Sequence, residues 1–128
     1  MQPFIHLHVH SQYSVLDGQA SVKALVDKAI ANGMRGIALT DHGNMFGIKE
    51  LTDYVNKKNK DVDGEIKNLK KTIEELKSAD AVDQEALSKA ETALKEAESK
   101  IFTPIIGCEM YVADNDMTDR SNKKEDRK

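Results

Sequence analysis

Several kinds of residue are scarce in this 128-residue chain, and each shortage excludes a class of protein. A single cysteine, Cys108, excludes an intrachain disulfide framework and fits a reducing compartment. No basic residue flanks Cys108, so we expect a small apolar side chain rather than a catalytic thiol. Aromatic residues make up 5% of the chain and hydrophobic residues 39%, which supports a core of modest size.

Long hydrophobic runs are also missing. No apolar stretch approaches the ~20 residues of a membrane-spanning helix, and residues 1–10 lack the basic start and apolar centre of a secretion signal. We therefore predict a cytoplasmic protein without a membrane partner. The formal net charge of −3 excludes a globally basic nucleic-acid binder, although it permits a local basic patch.

Histidine, by contrast, is concentrated in one short run near the start of the chain. His6, His8 and His10 alternate with apolar residues over positions 5–10. In a β-strand, alternate side chains share one face, so this spacing predicts a strand with three imidazoles on one side and a packing surface on the other. Neutral imidazole is the commonest protein ligand for zinc-like metals. The run therefore predicts a metal-binding strand.

Strand and helix patterns alternate in the rest of the chain. Ser21 is a good N-cap for a helix with one apolar stripe that ends near Asn32. Short apolar runs at 36–40 and 104–108 predict two further strands, with another helix beginning over 47–59. The order β-α-β-α-β and the apolar strands favour an α/β fold in which helices cover a parallel sheet.

The segment from about residue 56 to 100 differs in composition. It is rich in Lys, Glu, Ala and Leu, contains no proline, and has Gly64 as its one glycine. Apolar residues at steps of three and four form two helical seams, separated by a polar loop at 78–83. We predict an inserted antiparallel α-helical hairpin. Its role stays open between a solvated insertion and a docking arm for a partner protein.

These patterns divide the chain into four parts. Residues 1–56 form the first part of the α/β domain, 57–101 the helical hairpin, and 102–113 the continuation of the domain. Residues 114–128 are almost wholly polar and are predicted to be a loop or a disordered tail.

Residues with metal-binding side chains lie in the first predicted strand or follow the ends of the three predicted strands. They are His6, His8, His10, Asp17, Asp41, His42 and Glu109. Because the carboxyl ends of parallel strands lie on the same side of a sheet, we expect these residues to gather at one rim. The His/Asp/Glu mixture suits Zn, Mn or Fe, and several carboxylates can hold more than one ion. Such centres hydrolyse phosphoesters by activating a water and clamping phosphate oxygens.

Each candidate also has a purely structural interpretation. His6 lies deepest in the run and could be a hydrogen-bonded core histidine. Asp41 and Asp17 both precede glycines and could be turn residues. His42 could orient a ligand rather than bind. Glu109 follows a buried strand, where a carboxylate without a partner would be costly, and this favours a metal ligand.

Three blocks of the sequence resemble the first motifs of the polymerase and histidinol phosphatase family, the PHP domain. They are residues 7–11, 39–43 and 107–109. Over residues 3–55 and 102–113 the chain is similar to the PHP domains of the alpha subunits of bacterial replicative DNA polymerases. The predicted hairpin lies outside this resemblance and looks like an insertion.

The resemblance implies a partial (β/α)7 PHP-type barrel with a metal cluster at its C-terminal rim. By matching position, the metal ligands are His8, His10, Asp17, Asp41, His42 and Glu109, with His6 near the site. The complete domain is expected to hold two or three divalent ions (Zn, Mn or Fe). A competent residue fills every ligand position that the chain covers, which favours the metal-keeping members of the family.

The functions that the resemblance implies fall into three classes. The first is a 3′→5′ exonuclease, with His8, His10, Asp41 and Glu109 as catalytic residues and with DNA and other replicase subunits as partners. The second is a non-catalytic module that binds a separate proofreading subunit. The third is a free-standing phosphatase, against which the segment 44–47 argues. We also expect a piece of a longer protein that has little catalysis alone and can self-associate through an open sheet edge.

Overall fold

The computed structural model describes residues 4–112, and the predicted polar tail at 114–128 lies outside them. The elements are α1 (Val22–Ala31), β1 (Gly36–Leu39), α2 (Ile48–Lys77), α3 (Gln84–Ser99) and β2 (Thr103–Ile106). None of the helices within residues 4–112 combines the length and the apolar composition needed to cross a membrane.

The sheet contains β1 and β2 as parallel neighbours, which confirms the predicted α/β class with parallel strands. Pairing continues beyond the two strands, toward their carboxyl ends. The Glu109 amide donates to the Asp41 carbonyl over 3.0 Å, and the Gly43 amide donates to the Glu109 carbonyl over 2.9 Å. This extended ladder places the turn after β1 directly beside Glu109.

The predicted first strand, residues 5–10, is not a regular strand. Two backbone hydrogen bonds join this segment to β1 and to Thr40, the residue after β1. The His6 carbonyl accepts from the Ala38 amide, and the Val9 carbonyl accepts from the Thr40 amide. The two acceptors, His6 and Val9, are three positions apart, whereas the two donors, Ala38 and Thr40, are two positions apart. The first segment therefore has one extra residue, which interrupts the hydrogen-bond ladder. Such an insertion also breaks the alternation of faces. Leu7, expected to face the core, is 66% exposed.

The core lies between α1, β1 and the first turns of α2. Its buried residues are Val22, Val26, Ala29, Ile37, Leu39, Leu51, Val55 and Phe102. Ser21 caps α1 as predicted, because its hydroxyl accepts from the Ala24 amide over 3.2 Å. All four residues of β1 are buried. Each fully buried valine or leucine contributes about 1.5–3 kcal/mol, so a small core can hold this arrangement.

The predicted helix over 47–59 and the first half of the predicted hairpin form one continuous helix, the 30-residue α2. Gly64 lies inside it, since a mid-helix glycine costs only about 1 kcal/mol and does not stop a helix. Helix α3 returns alongside α2. Ion pairs join Lys70 to Glu98 over 3.7 Å and Lys77 to Glu91 over 3.3 Å, an order that fits antiparallel helices.

Candidate metal centre

Three of the predicted ligands meet at one point beyond the carboxyl ends of the strands. The Nε2 atom of His8 lies 2.8 Å from Oε2 of Glu109, and Nε2 of His10 contacts the same oxygen. The two Nε2 atoms are 3.3 Å apart. One ligand atom from each residue lies within 4.8 Å of the other two. Of the seven residues expected to gather at one rim, these three meet, although the first segment is not a regular strand.

The electrostatics of this centre suit a cation. The imidazole of His8, followed by that of His10, holds the pKa of the Glu109 carboxyl below its usual value. Two imidazole nitrogens and one carboxylate oxygen form a donor set that Zn, Mn and Fe accept. The side chain of His10 is 18% exposed and that of His8 is 71% exposed, so the centre is anchored on one side and open on the other.

A second pair of predicted ligands, Asp17 and His42, lies next to this centre. Nδ1 of His42 donates to Oδ2 of Asp17 over 2.9 Å. Because an ionised carboxylate can only accept, this bond places the proton on Nδ1 and leaves Nε2 of His42 free to bind. Nδ1 of His10 is 3.9 Å from the same Asp17 oxygen. His10 therefore stands between the two groups, with one ring nitrogen facing each.

Asp41 occupies a different place from the other predicted ligands. Its side chain is buried, and Oδ1 accepts from the Ser11 amide over 2.6 Å and from the Ser14 hydroxyl over 3.3 Å. Oδ2 accepts from the Ser11 hydroxyl over 2.9 Å. The Ser14 hydroxyl in turn accepts from the His42 amide over 2.8 Å. The structure thus does not bring Asp41 into the three-residue centre, and its carboxylate ties the loop after His10 to the end of β1.

Ser11 and Ser14 support the loop beside the centre, and the sequence pattern did not single them out. Both are fully or almost fully buried, which is unusual for serine. The available signal was their position, since Ser11 follows His10 directly and Ser14 lies one turn further on. Small hydroxyl residues beside ligands commonly bond to backbone and carboxylate groups nearby.

Two further residues lie outside the centre. The ring of His6 packs edge-on against Phe4, with centroids 4.8 Å apart, and its side chain is exposed. Cys108 is a free, partly buried thiol whose Sγ lies 3.6 Å from the Asp41 carbonyl. Neither residue joins the group formed by His8, His10 and Glu109.

Comparison with known proteins shows which family the chain resembles. The family model described as PHP domain matches residues 6–127. A DNA polymerase III subunit alpha of Chlamydia muridarum is 34% identical over 125 residues, covering 98% of this chain and 6% of that protein. The protein of the same name from Chlamydia trachomatis is 30% identical over 124 residues, covering 97% and 7%. That from Treponema pallidum is 61% identical over 44 residues, covering 34% and 4%.

Two consequences follow from these similarities. The chain spans only 4% to 7% of the length of these three relatives. The Chlamydia alignments extend through the helical hairpin, so the similarity is not limited to residues 3–55 and 102–113. With a family match over residues 6–127 and the histidine–glutamate centre in place, the chain belongs to the PHP domain family.

Proposed function

We propose that this chain is the metal-dependent phosphoesterase lobe of a bacterial DNA polymerase III alpha subunit, and that its centre removes 3′-terminal nucleotides during DNA replication. The observation that carries the proposal is the convergence of His8, His10 and Glu109. The relatives named DNA polymerase III subunit alpha supply the replication context. DNA and other replicase subunits are the proposed partners.

The residues present fit a divalent cation. In our proposal His8, His10 and Glu109 hold one ion through two nitrogens and one oxygen, while Asp17 and His42 stand ready for a second. Zn, Mn and Fe are the candidates, with two or three ions in the complete domain. A bound ion of this kind supplies charge to the phosphate oxygens and lowers the pKa of a water.

The side chains of the chain itself have separate tasks in this proposal. In the metal-free chain the imidazoles of His8 and His10 lower the pKa of the Glu109 carboxyl, so that Glu109 is ionised and ready to accept a cation. Asp17 fixes the tautomer of His42, so that Nε2 points away from their shared hydrogen bond. Asp41 is a positioning residue. Through Ser11 it sets the position of His10, and through the Ser14 hydroxyl, which accepts from the His42 amide, it sets the position of His42.

The test uses a full-length alpha subunit that carries this domain. Release of the 3′-terminal nucleotide from single-stranded DNA is measured for the native protein and for Glu109→Gln, with nucleotide addition measured in parallel. Glu74→Gln is the matched control, because Glu74 is exposed on α2, far from the centre in sequence. We expect Glu109→Gln to lose at least about 100-fold in release while nucleotide addition persists. Unchanged release in Glu109→Gln would contradict the proposal.

A non-catalytic module that binds a separate proofreading subunit is the second candidate. The observation that favours it is the α2–α3 hairpin, because the core cluster between α1, β1 and α2 contains no residue of the range 64–98, where Ile73 and Ala97 are the buried apolar residues. A native protein that adds nucleotides but releases none, and that binds a proofreading subunit less well without the hairpin, would support this candidate.

Two other expectations remain predictions. One is a cytoplasmic location. The other is self-association, since β2 pairs with β1 alone within residues 4–112 and leaves its other edge open. Sedimentation of the purified chain over a range of concentrations would detect such pairing as a rise in mass.

A further inference from the structure

We propose that a pocket beside His42 binds the nucleobase of the 3′-terminal nucleotide whose phosphate lies at the His8–His10–Glu109 centre. The inference rests on the proposed function, since it names how that centre recognises its substrate. The pocket has a volume of about 430 Å³, within the range of small-molecule sites. Its principal lining residues are Tyr13, Val15, Leu16, Asp17, His42 and Tyr111.

The outer wall of this nucleobase pocket is apolar and held in place. Val15 is 86% exposed and Leu16 is 96% exposed, at the tip of a tight turn. The turn is closed by the amides of Asp17 and Gly18, which both donate to the Ser14 carbonyl over 2.9 and 2.8 Å. The Ser14 hydroxyl donates to the buried Asp41 carboxylate, which anchors the loop that carries Val15 and Leu16. Covering them with a flat ligand would remove apolar surface from water.

The pocket lining is also aromatic at Tyr111. The ring of Tyr111 lies 4.9 Å from that of His42, at an angle of 45°, and Tyr111 is 59% exposed. Bases stack on such exposed rings with little regard to their sequence, because every base has a π face. A pocket lined by an apolar loop and an accessible tyrosine is therefore suited to hold a base without selecting one of the four.

The position of the pocket relative to the centre selects its occupant. The imidazole of His42 forms part of the pocket wall, and its ring centroid is only 5.9 Å from that of His10. The pocket therefore lies about one imidazole ring away from a phosphate held at the centre. The sugar of a nucleotide can bridge that distance. A terminal nucleotide reaches both positions at once, whereas inorganic phosphate reaches only the centre.

The experiment compares two probes on the zinc-loaded 128-residue chain. Thymidine 5′-monophosphate carries a base and 2-deoxyribose 5-phosphate does not, and titration calorimetry gives the dissociation constant of each. We expect the nucleotide to bind about tenfold more tightly, in line with base stacking on an aromatic ring. Tyr111→Ala and Leu16→Ser should each reduce this preference to about twofold or less and leave the sugar phosphate unaffected.

Val82→Ser serves as the matched control, because Val82 is an exposed apolar residue in the loop between α2 and α3. It should keep the full preference. Equal binding of the two probes to the native chain, or a preference that survives Tyr111→Ala, would overturn the nucleobase pocket. If the sugar phosphate binds and the base adds nothing, the pocket is wrong while the phosphoesterase centre stands. If neither probe binds the zinc-loaded chain, both proposals fail.

Discussion

At the scale of single residues, Asp41 determines more of the site than any ligand does. A buried carboxylate is costly unless its oxygens are occupied, and here Ser11 and Ser14 supply three donors. Ser11 follows His10, and Asp41 precedes His42. The Asp41 carboxylate therefore holds the backbone next to both histidines in place. The sequence predicted a functional aspartate at position 41, but the residue type alone does not separate a metal ligand from a buried acceptor.

We expect Asp41→Asn to destabilise the fold by about 2–3 kcal/mol, because hydrogen bonds to a charged group are the stronger kind. The amide oxygen can take over the two bonds of Oδ1, but an N–H group at the Oδ2 position forces the Ser11 hydroxyl to accept instead of donate, so every remaining bond is one between neutral groups. Urea unfolding followed by circular dichroism gives the free energy. Asp61→Asn, at an exposed position on α2, is the control and should unfold at the native midpoint. Equal midpoints for the two variants would contradict this role.

Two glycines give a second prediction at the residue scale. A Cβ at Gly18 would lie 2.0 Å from the Ser11 carbonyl oxygen, so Gly18→Ala forces the loop to move. We expect a loss of about 1–3 kcal/mol together with weaker metal binding. Gly64→Ala meets nothing within 4 Å in the middle of α2 and should gain about 0.5–1 kcal/mol. Thermal unfolding of both variants checks the opposite signs, and a stable Gly18→Ala chain with native metal affinity would refute the account of the loop.

At the scale of secondary structure, the sequence predicted the features that depend on neighbouring residues alone. The cap at Ser21 and the stripe of α1 are local signals, and both are confirmed. The first strand was predicted wrongly, because its extra residue depends on how it meets β1, which a period of two cannot show. The helix expected to begin over 47–59 runs on into the first seam of the predicted hairpin, since Gly64 weakens α2 without ending it.

The hairpin gives the prediction at this scale. Replacing residues 64–98 by a short linker removes the buried Ile73 and Ala97 of the hairpin, but it removes no member of the core cluster between α1, β1 and α2 and keeps Asn59. The side chain of Asn59 bonds to both backbone groups of Phe102, over 2.8 and 3.0 Å, and so holds the entry to β2. We expect the shortened chain to unfold cooperatively. Asn59→Ala in that chain should lower its midpoint.

Urea unfolding with two probes, circular dichroism and tyrosine fluorescence, tests this prediction. Coincident transitions indicate that the core is intact. A broad or probe-dependent transition in the shortened chain would mean that the hairpin is needed for the fold.

At the scale of the whole molecule, the site joins parts of the chain that are distant in sequence. His8 and His10 come from the irregular first segment, and Glu109 follows β2, with α1, β1 and the hairpin between them. The rule that parallel strands end at one rim predicted this meeting. A metal bound there would hold the first segment to the end of the sheet and stabilise the folded state by mass action. Metal binding at the centre and folding of the chain are thus expected to stabilise each other.

The metal content of the purified chain tests this central claim most directly. Plasma mass spectrometry of the native chain and of a His8→Ala/His10→Ala variant gives the stoichiometry of Zn, Mn and Fe. The account predicts at least about one ion per native chain and loss of that ion in the variant, because two of the three convergent ligands are removed. A native chain without metal, or equal metal in the two proteins, would contradict it.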